Sequence, residues 1–153
     1  MTEPGGKPIV PDYAGPNVRG VVPALLGPGL QHGSWGDEVP AWMPDAVRAA
    51  DAVVLLVLDG LGWDQLQEHL DIVPTLAAMQ GRSIHTVAPT TTATALCSIT
   101  TGLTPGEHGL IGYRMSLGGE VLNVLRWAVG DQQVRRSHPP RDVQGFEPVS
   151  YTH

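Results

Sequence analysis

A three-layer α/β domain with a mainly parallel sheet is the fold class that this sequence predicts. Three observations predict it. Residues 52–58, "AVVLLVL", form a continuous apolar run without alternation, as in a strand covered on both faces. Residues 83–88, "SIHTVA", form a second strand-like segment. Helical patterns lie between the two segments and after the second. Strand, helix, strand, helix implies a right-handed crossover and parallel pairing.

The elements follow in chain order. The chain has 19 glycines and 14 prolines, and 16 of these fall in residues 1–51. That first third reads as turns and extended pieces wrapped over the domain, with short helical turns at 21–26 and 41–50. Asp59-Gly60 breaks the first apolar run. "WDQLQEHL" then reads as a helix, with Asp64 near its positive end and His69 near its negative end. "IVPTLAAMQG" gives a further short helix closed by Gly81. After the second strand, "TATALCSITT" (92–101) is a helix stopped by Gly102. Gly118-Gly119, between two apolar stretches, predicts a hairpin. From Gly130 to His153 the chain is polar, with no strong periodicity. No internal repeat is present.

Composition narrows the function classes. A chain of 153 residues with 42% hydrophobic and 16% charged side chains has a globular balance. Its longest apolar run is far too short to cross a bilayer. The start, "MTEPGGKPIVPDYAG", lacks the basic-then-apolar pattern of a secretory leader. The single cysteine, Cys97, excludes an internal disulfide and fits a reducing compartment, so a cytoplasmic protein is expected. Net charge is −6, from 15 acidic and 9 basic residues. No basic stripe exists to follow a nucleic-acid backbone. Neither nucleic acid nor a membrane is therefore an expected partner.

The chemistry gathers at one predicted sheet edge. Both strands of a parallel crossover end on the same side, where ligands bind. The first strand ends at Asp59, and the second is followed at once by Thr90, Thr91 and Thr92. A partly desolvated carboxylate needs a cation or donors beside it. A threonine hydroxyl is a weak nucleophile until a metal or a base activates it. The start of a helix adds free N–H groups that suit phosphate. Together these groups suit metal-assisted phosphoryl transfer. Each also has a plainer reading. Asp-Gly is a common turn, and threonine before a helix is a common cap. One cap suffices, so three successive threonines exceed that need.

These residues resemble the alkaline phosphatase superfamily, and within it the type I phosphodiesterase/nucleotide pyrophosphatase branch. The motifs that carry the resemblance are Asp59-Gly60, Pro89-Thr90-Thr91-Thr92, Thr101-Gly102-Leu103-Thr104-Pro105 and His108-Gly109. The resemblance implies an alkaline-phosphatase-like fold over residues 52–148. It implies Thr92 as nucleophile and metal ligand, with Asp59 on the same metal and Thr91 as the rival nucleophile. It implies two Zn²⁺ ions, with Mn²⁺ as the alternative, and a covalent phospho-threonine intermediate. The Ala93 N–H would help to bind phosphate oxygens. Tyr113 stands near the place where the nucleotide pyrophosphatases put an asparagine on the phosphate, and is the second candidate substrate-binding residue.

The family also uses later ligands: an Asp and His four apart, an adjacent Asp-His pair and a further His. None of these patterns occurs, and His32, His69, His85, His108, His138 and His153 fit none of the slots. The expectation is an amino-terminal part of a longer enzyme, inactive alone. Residues 149–153 resemble translated sequencing-adapter read-through. The expected activity is metal-dependent hydrolysis of a small-molecule phosphate ester or nucleotide-like substrate, a diester rather than a monoester. The alternatives are a non-catalytic binding or structural module that retains the fold, and a phosphomutase or sulfatase-like relative. A sulfatase of the formylglycine type would need Cys or Ser where Thr92 stands.

Other conspicuous residues have plain readings. His85 is a strand-face side chain, His108 a loop support and Cys97 a small packed hydrophobe. Trp35, Trp42, Trp63 and Trp127 are packing residues, with Trp63 near enough to Asp59 to line a site mouth. "DGLGW" is no phosphate-cradling loop, because no Gly-Lys-Ser/Thr follows. Arg114 and the pair Arg135-Arg136 read as solvated charges.

Overall fold

The computed structural model describes residues 9–26 and 40–137. A 3₁₀ turn, Val18–Gly20, leads into helix α1, Val21–Leu26. Helices α2, Asp45–Arg48, α3, Trp63–Glu68, α4, Pro74–Ala77, α5, Thr92–Thr101, and α6, Pro105–His108, follow. Strands β1, Arg114–Leu117, β2, Glu120–Asn123, β3, Ala128–Val129, and β4, Gln132–Gln133, close the described chain. His32, Trp35, His138, His153 and residues 149–153 lie outside the described residues.

The sheet is a four-stranded antiparallel meander in the order β1-β2-β3-β4. Its first turn is the predicted hairpin. Leu117 pairs with Glu120 across Gly118 and Gly119, whose φ angles are 59° and 89°. Two consecutive positive φ values are what a type I′ turn needs, and glycine adopts them without steric penalty. The Asn123 side chain accepts from the Arg126 N–H at 3.0 Å and starts the next turn. Residues 132–133 extend the sheet into a region whose sequence carried no periodic signal.

The predicted α5 has the observed bounds. Gly102 ends it in the left-handed region at φ 74°, with its N–H on the Ser98 carbonyl at 2.9 Å. One face of α5 packs on the sheet. Ala93, Leu110, Leu117, Leu122, Val124 and Trp127 form the core, with Cys97 against it. Ala93 and Cys97 are four apart and so share a helix face. The 3₁₀ turn and α1 pack on α5 as well. Buried Asn17 ties this amino-terminal layer to the second predicted strand. Its Nδ2 donates to the carbonyls of Asp12 (3.2 Å) and Thr86 (3.1 Å), and its Oδ1 accepts the Arg19 N–H.

Among the described residues no parallel sheet forms. Residues 52–58 join no β ladder, and Val53 to Leu58 are each more than 40% exposed. Residues 83–88 keep one parallel bridge, between His85 and Asn17. A parallel strand needs partners on both edges and helices on both faces. Helices α3 and α4 bury no residue, so nothing among the described residues covers the run. An apolar run reports what a segment is able to bury, not whether its partners stand beside it. Helix α4 is also shorter than its pattern. It opens on Pro74, which has no N–H to continue a helix from before it.

Gly102 meets two constraints at once, since a Cβ there would stand 2.5 Å from Pro23 Cγ. Gly102→Ala is expected to lower unfolding stability by about 2 kcal/mol or more, from positive φ plus overlap. Gly106, with nothing within 4 Å of its would-be Cβ, is the control. Gly106→Ala is expected to be neutral or stabilising by about 0.5 kcal/mol. Urea unfolding of the two variants checks this.

Candidate active site

Asp59 sits in a tight turn, not in a strand. The Leu61 N–H reaches the Leu58 carbonyl at 3.3 Å, and Gly60 between them has φ 81°. That is the third position of a type II turn, where glycine is favoured. The Asp59 side chain is solvent-exposed, in contrast to the partly desolvated carboxylate that the sequence suggested. The exposure follows from the uncovered run before it.

Thr92 is the first residue of α5. Its hydroxyl donates to Asp59 Oδ2 at 2.9 Å, across 33 residues of chain. Thr92 shares a helix stripe with Leu96 and Thr100, both exposed, so α5 turns it away from the core. The first intrahelical bond of α5 is Ala95 N–H to the Thr91 carbonyl at 2.9 Å. The N–H groups of Thr92, Ala93 and Thr94 therefore have no partner within the helix. The Ala93 methyl is buried in the core.

Thr91 is the N-cap residue, with extended backbone at φ −87° and ψ 149°, yet its side chain caps no N–H. Its hydroxyl lies 2.7 Å from that of buried Thr94. Thr90 is exposed. Tyr113 is exposed. Its carbonyl accepts the Val124 N–H at 2.8 Å, and the Arg114 guanidinium lies 5.3 Å from its ring centre. The Trp63 ring rests beside Gly81.

Two oxygens 2.9 Å apart are close to the edge of one tetrahedral shell, about 3.3 Å for bonds of ~2.0 Å. Zinc takes four ligands, however. Among the described residues no three or more His, Cys, Asp or Glu side chains gather as a metal group. Asp59 and Thr92 are thus a partial donor set, and the described residues alone do not fit a zinc centre. His85 is not a ligand candidate. Its Nδ1 accepts the Asp12 N–H at 2.7 Å, and its backbone forms the bridge to the amino-terminal segment.

Behind the site lies a polar group that sequence reading undervalued. His108 is fully buried on α6. Its Nδ1 accepts the Leu110 N–H at 3.0 Å, so the proton resides on Nε2 and donates to buried Ser98 Oγ at 2.9 Å. Helix α6 carries a capping box, Thr104-x-x-Glu107, a signature local to the sequence. Glu107 accepts the Thr104 N–H at 2.7 Å, which holds its carboxyl below the usual range, and Arg19 lies 3.6 Å away. Burial raises the Cys97 thiol, against any nucleophilic role.

With this geometry in hand, the comparisons with known proteins are informative. The model of the type I phosphodiesterase / nucleotide pyrophosphatase family matches residues 53–152. The chain belongs to that family, whose members are hydrolases of phosphate esters and nucleotides, and so to the alkaline phosphatase superfamily branch. Neither a curated protein nor a solved structure matches the chain. No helix among the described residues is long and apolar enough to cross a membrane.

Burial holds His108 neutral, with its pKa below the ordinary value of 6.5. The unfolded chain protonates near that ordinary value. The stabilisation is therefore complete above about pH 6.5 and is lost as pH falls toward the depressed folded value. Thermal unfolding between pH 7.5 and 5 is expected to show Tm falling on the acid side, with the slope reduced in His108→Gln. Ser98→Ala leaves the Nε2 proton buried without an acceptor, and is expected to cost roughly 1–3 kcal/mol.

Proposed function

We propose that the protein is a metal-dependent phosphoric ester hydrolase of the phosphodiesterase/nucleotide pyrophosphatase type, acting through Thr92. The observation that carries this reading is the Thr92 to Asp59 hydrogen bond. It joins Thr92, the residue we assign as nucleophile, to Asp59, the residue we assign as metal ligand, at the open start of a helix. The substrate class is a small phosphodiester or nucleotide-like ester.

The residues divide the work. The Asp59 carboxylate accepts the Thr92 O–H and so orients the hydroxyl, whose proton passes to solvent as the oxygen attacks. The Thr92 oxygen attacks phosphorus, and the bond to the leaving group breaks, giving a phospho-threonine that water then hydrolyses. The unpaired N–H groups at the start of α5, that of Ala93 among them, receive the equatorial phosphate oxygens. Tyr113 is the second substrate contact of this reading. Asp59 and Thr92 would be two of the ligands of a Zn²⁺ site, with Mn²⁺ as the alternative. A cation there would polarise the phosphate and acidify the hydroxyl.

The finer fold reading belongs to the same proposal. Residues 52–58 become a strand of an alkaline-phosphatase-like parallel sheet once their partners are present. The parallel bridge of Asn17 to His85 and the family membership support it. A cytoplasmic setting rests on the single cysteine. The 153-residue chain alone is expected to turn over little, since its described residues bring two donors of four.

The test uses the product of the whole reading frame, purified with Zn²⁺, and an aryl phosphodiester. Thr92→Ala is expected to lower kcat by at least about 1,000-fold while bound zinc falls only in part. Retained turnover in Thr92→Ala overturns the nucleophile. A wild-type protein that binds the ester without hydrolysing it overturns the enzyme reading in favour of a binding module.

A further inference from the structure

Two threonines with adjacent numbers stand at the start of α5, and a reaction through one of them requires that the other be kept out. We propose that Thr94 is the positioning residue that makes this choice: its hydroxyl engages that of Thr91, which leaves Thr92 as the reacting group. The inference rests on the hydrolase reading above and adds to it the source of its site selectivity.

Four observations carry it. Thr94 is fully buried, so its hydroxyl must find a partner inside the protein. That partner is the Thr91 hydroxyl, at 2.7 Å. Thr91 occupies the N-cap, where a threonine side chain ordinarily accepts a backbone N–H, but here it makes no such bond. Its hydroxyl is spent on Thr94 instead. Thr92, one residue on, meets Asp59 at 2.9 Å instead.

Stereochemistry sharpens the effect. Threonine is branched at Cβ, so one hydrogen bond to its hydroxyl fixes χ1 and the methyl together. Thr91, so fixed, points its oxygen toward the buried side of α5. Thr94 cannot follow a change in Thr91, because it is enclosed within α5's packed faces. Thr91 and Thr92 have the same intrinsic nucleophilicity, and their surroundings alone distinguish them. One has a carboxylate for a neighbour, the other a neutral hydroxyl.

Threonine χ1 is read directly by NMR, from three-bond couplings of the methyl carbon to the amide nitrogen and the carbonyl carbon. In the wild-type chain Thr91 is expected to show a single rotamer. In Thr94→Val, which keeps the shape and removes the hydroxyl, Thr91 is expected to average over rotamers. Thr94→Ser is expected to restore the single rotamer, and Thr92 is expected to be unchanged throughout. Thr94→Ala replaces the valine variant if the latter does not fold. Averaging of Thr91 in the wild type, or a fixed Thr91 in the variants that lack the hydroxyl, overturns the proposal. A second arm incubates the whole-frame protein with Zn²⁺ and an aryl phosphodiester, then maps the phosphorylated residue by mass spectrometry. Label on Thr92 alone in the wild type, spreading to Thr91 in Thr94→Val, is the expected result. Label on Thr91 in the wild type overturns it. If neither label nor ester hydrolysis is detected, the hydrolase reading has failed, and the rotamer measurement still decides what Thr94 does.

Discussion

Helix α5 is held on three sides, and that confinement fixes the direction in which its first turn faces. Ala93 and Cys97 meet the antiparallel sheet, Ser98 meets His108 of α6, and the 3₁₀ turn with α1 lies alongside. Rotation of α5 about its axis would break all three at once. The stripe left over carries Thr92, Leu96 and Thr100. A ten-residue helix has little stability of its own in water, so these contacts, rather than propensity, keep it formed. The orientation of Thr92 is thus a consequence of packing several residues away from it.

The polar interior serves the same end. Asn17, Thr94, Ser98 and His108 are buried, and each has its hydrogen-bond partner. Arg19 adds a tie at the other end of α5, with Nη1 on the Gly102 carbonyl at 3.1 Å and Nε on the Tyr13 carbonyl at 2.9 Å. Such groups are costly when unpaired, which makes them intolerant of displacement. They lock α5 to the amino-terminal layer and to α6 more specifically than apolar contacts would. Residues 52–81, by contrast, bury almost nothing, and Asp59 reaches Thr92 from this loosely held side. The pair therefore joins a rigid element to one with few neighbours.

Much of this was legible where the signal is local. Gly102 marks the end of α5, and Gly118-Gly119 marks the hairpin, because glycine alone accepts those φ values cheaply. The juxtaposition of Asp59 with Thr92 was also legible, although it was reached through a parallel sheet that does not form among the described residues. The convergence appears as the hydrogen bond from Thr92, at the start of α5, to Asp59, in the turn before Gly60. What was illegible is long-range. Nothing near Asn17 announces Thr86, and nothing near Asp12 announces His85, because such bonds depend on the meeting of segments about 70 residues apart. The antiparallel meander beyond the hairpin was hidden for a different reason: two-residue strands are too short to show a period.

The central claim is that Asp59 and Thr92 form one binding point and not two neighbouring surface groups. A zinc titration followed by NMR, observing the Asp59 carboxyl carbon and the Thr92 β-carbon together, tests it most directly. Both signals are expected to move along one saturation curve with a single Kd, and Asp59→Asn is expected to abolish the shift at Thr92. Zinc that perturbs His69 or His85 while Asp59 and Thr92 stay still, or that moves the two on separate curves, would contradict it.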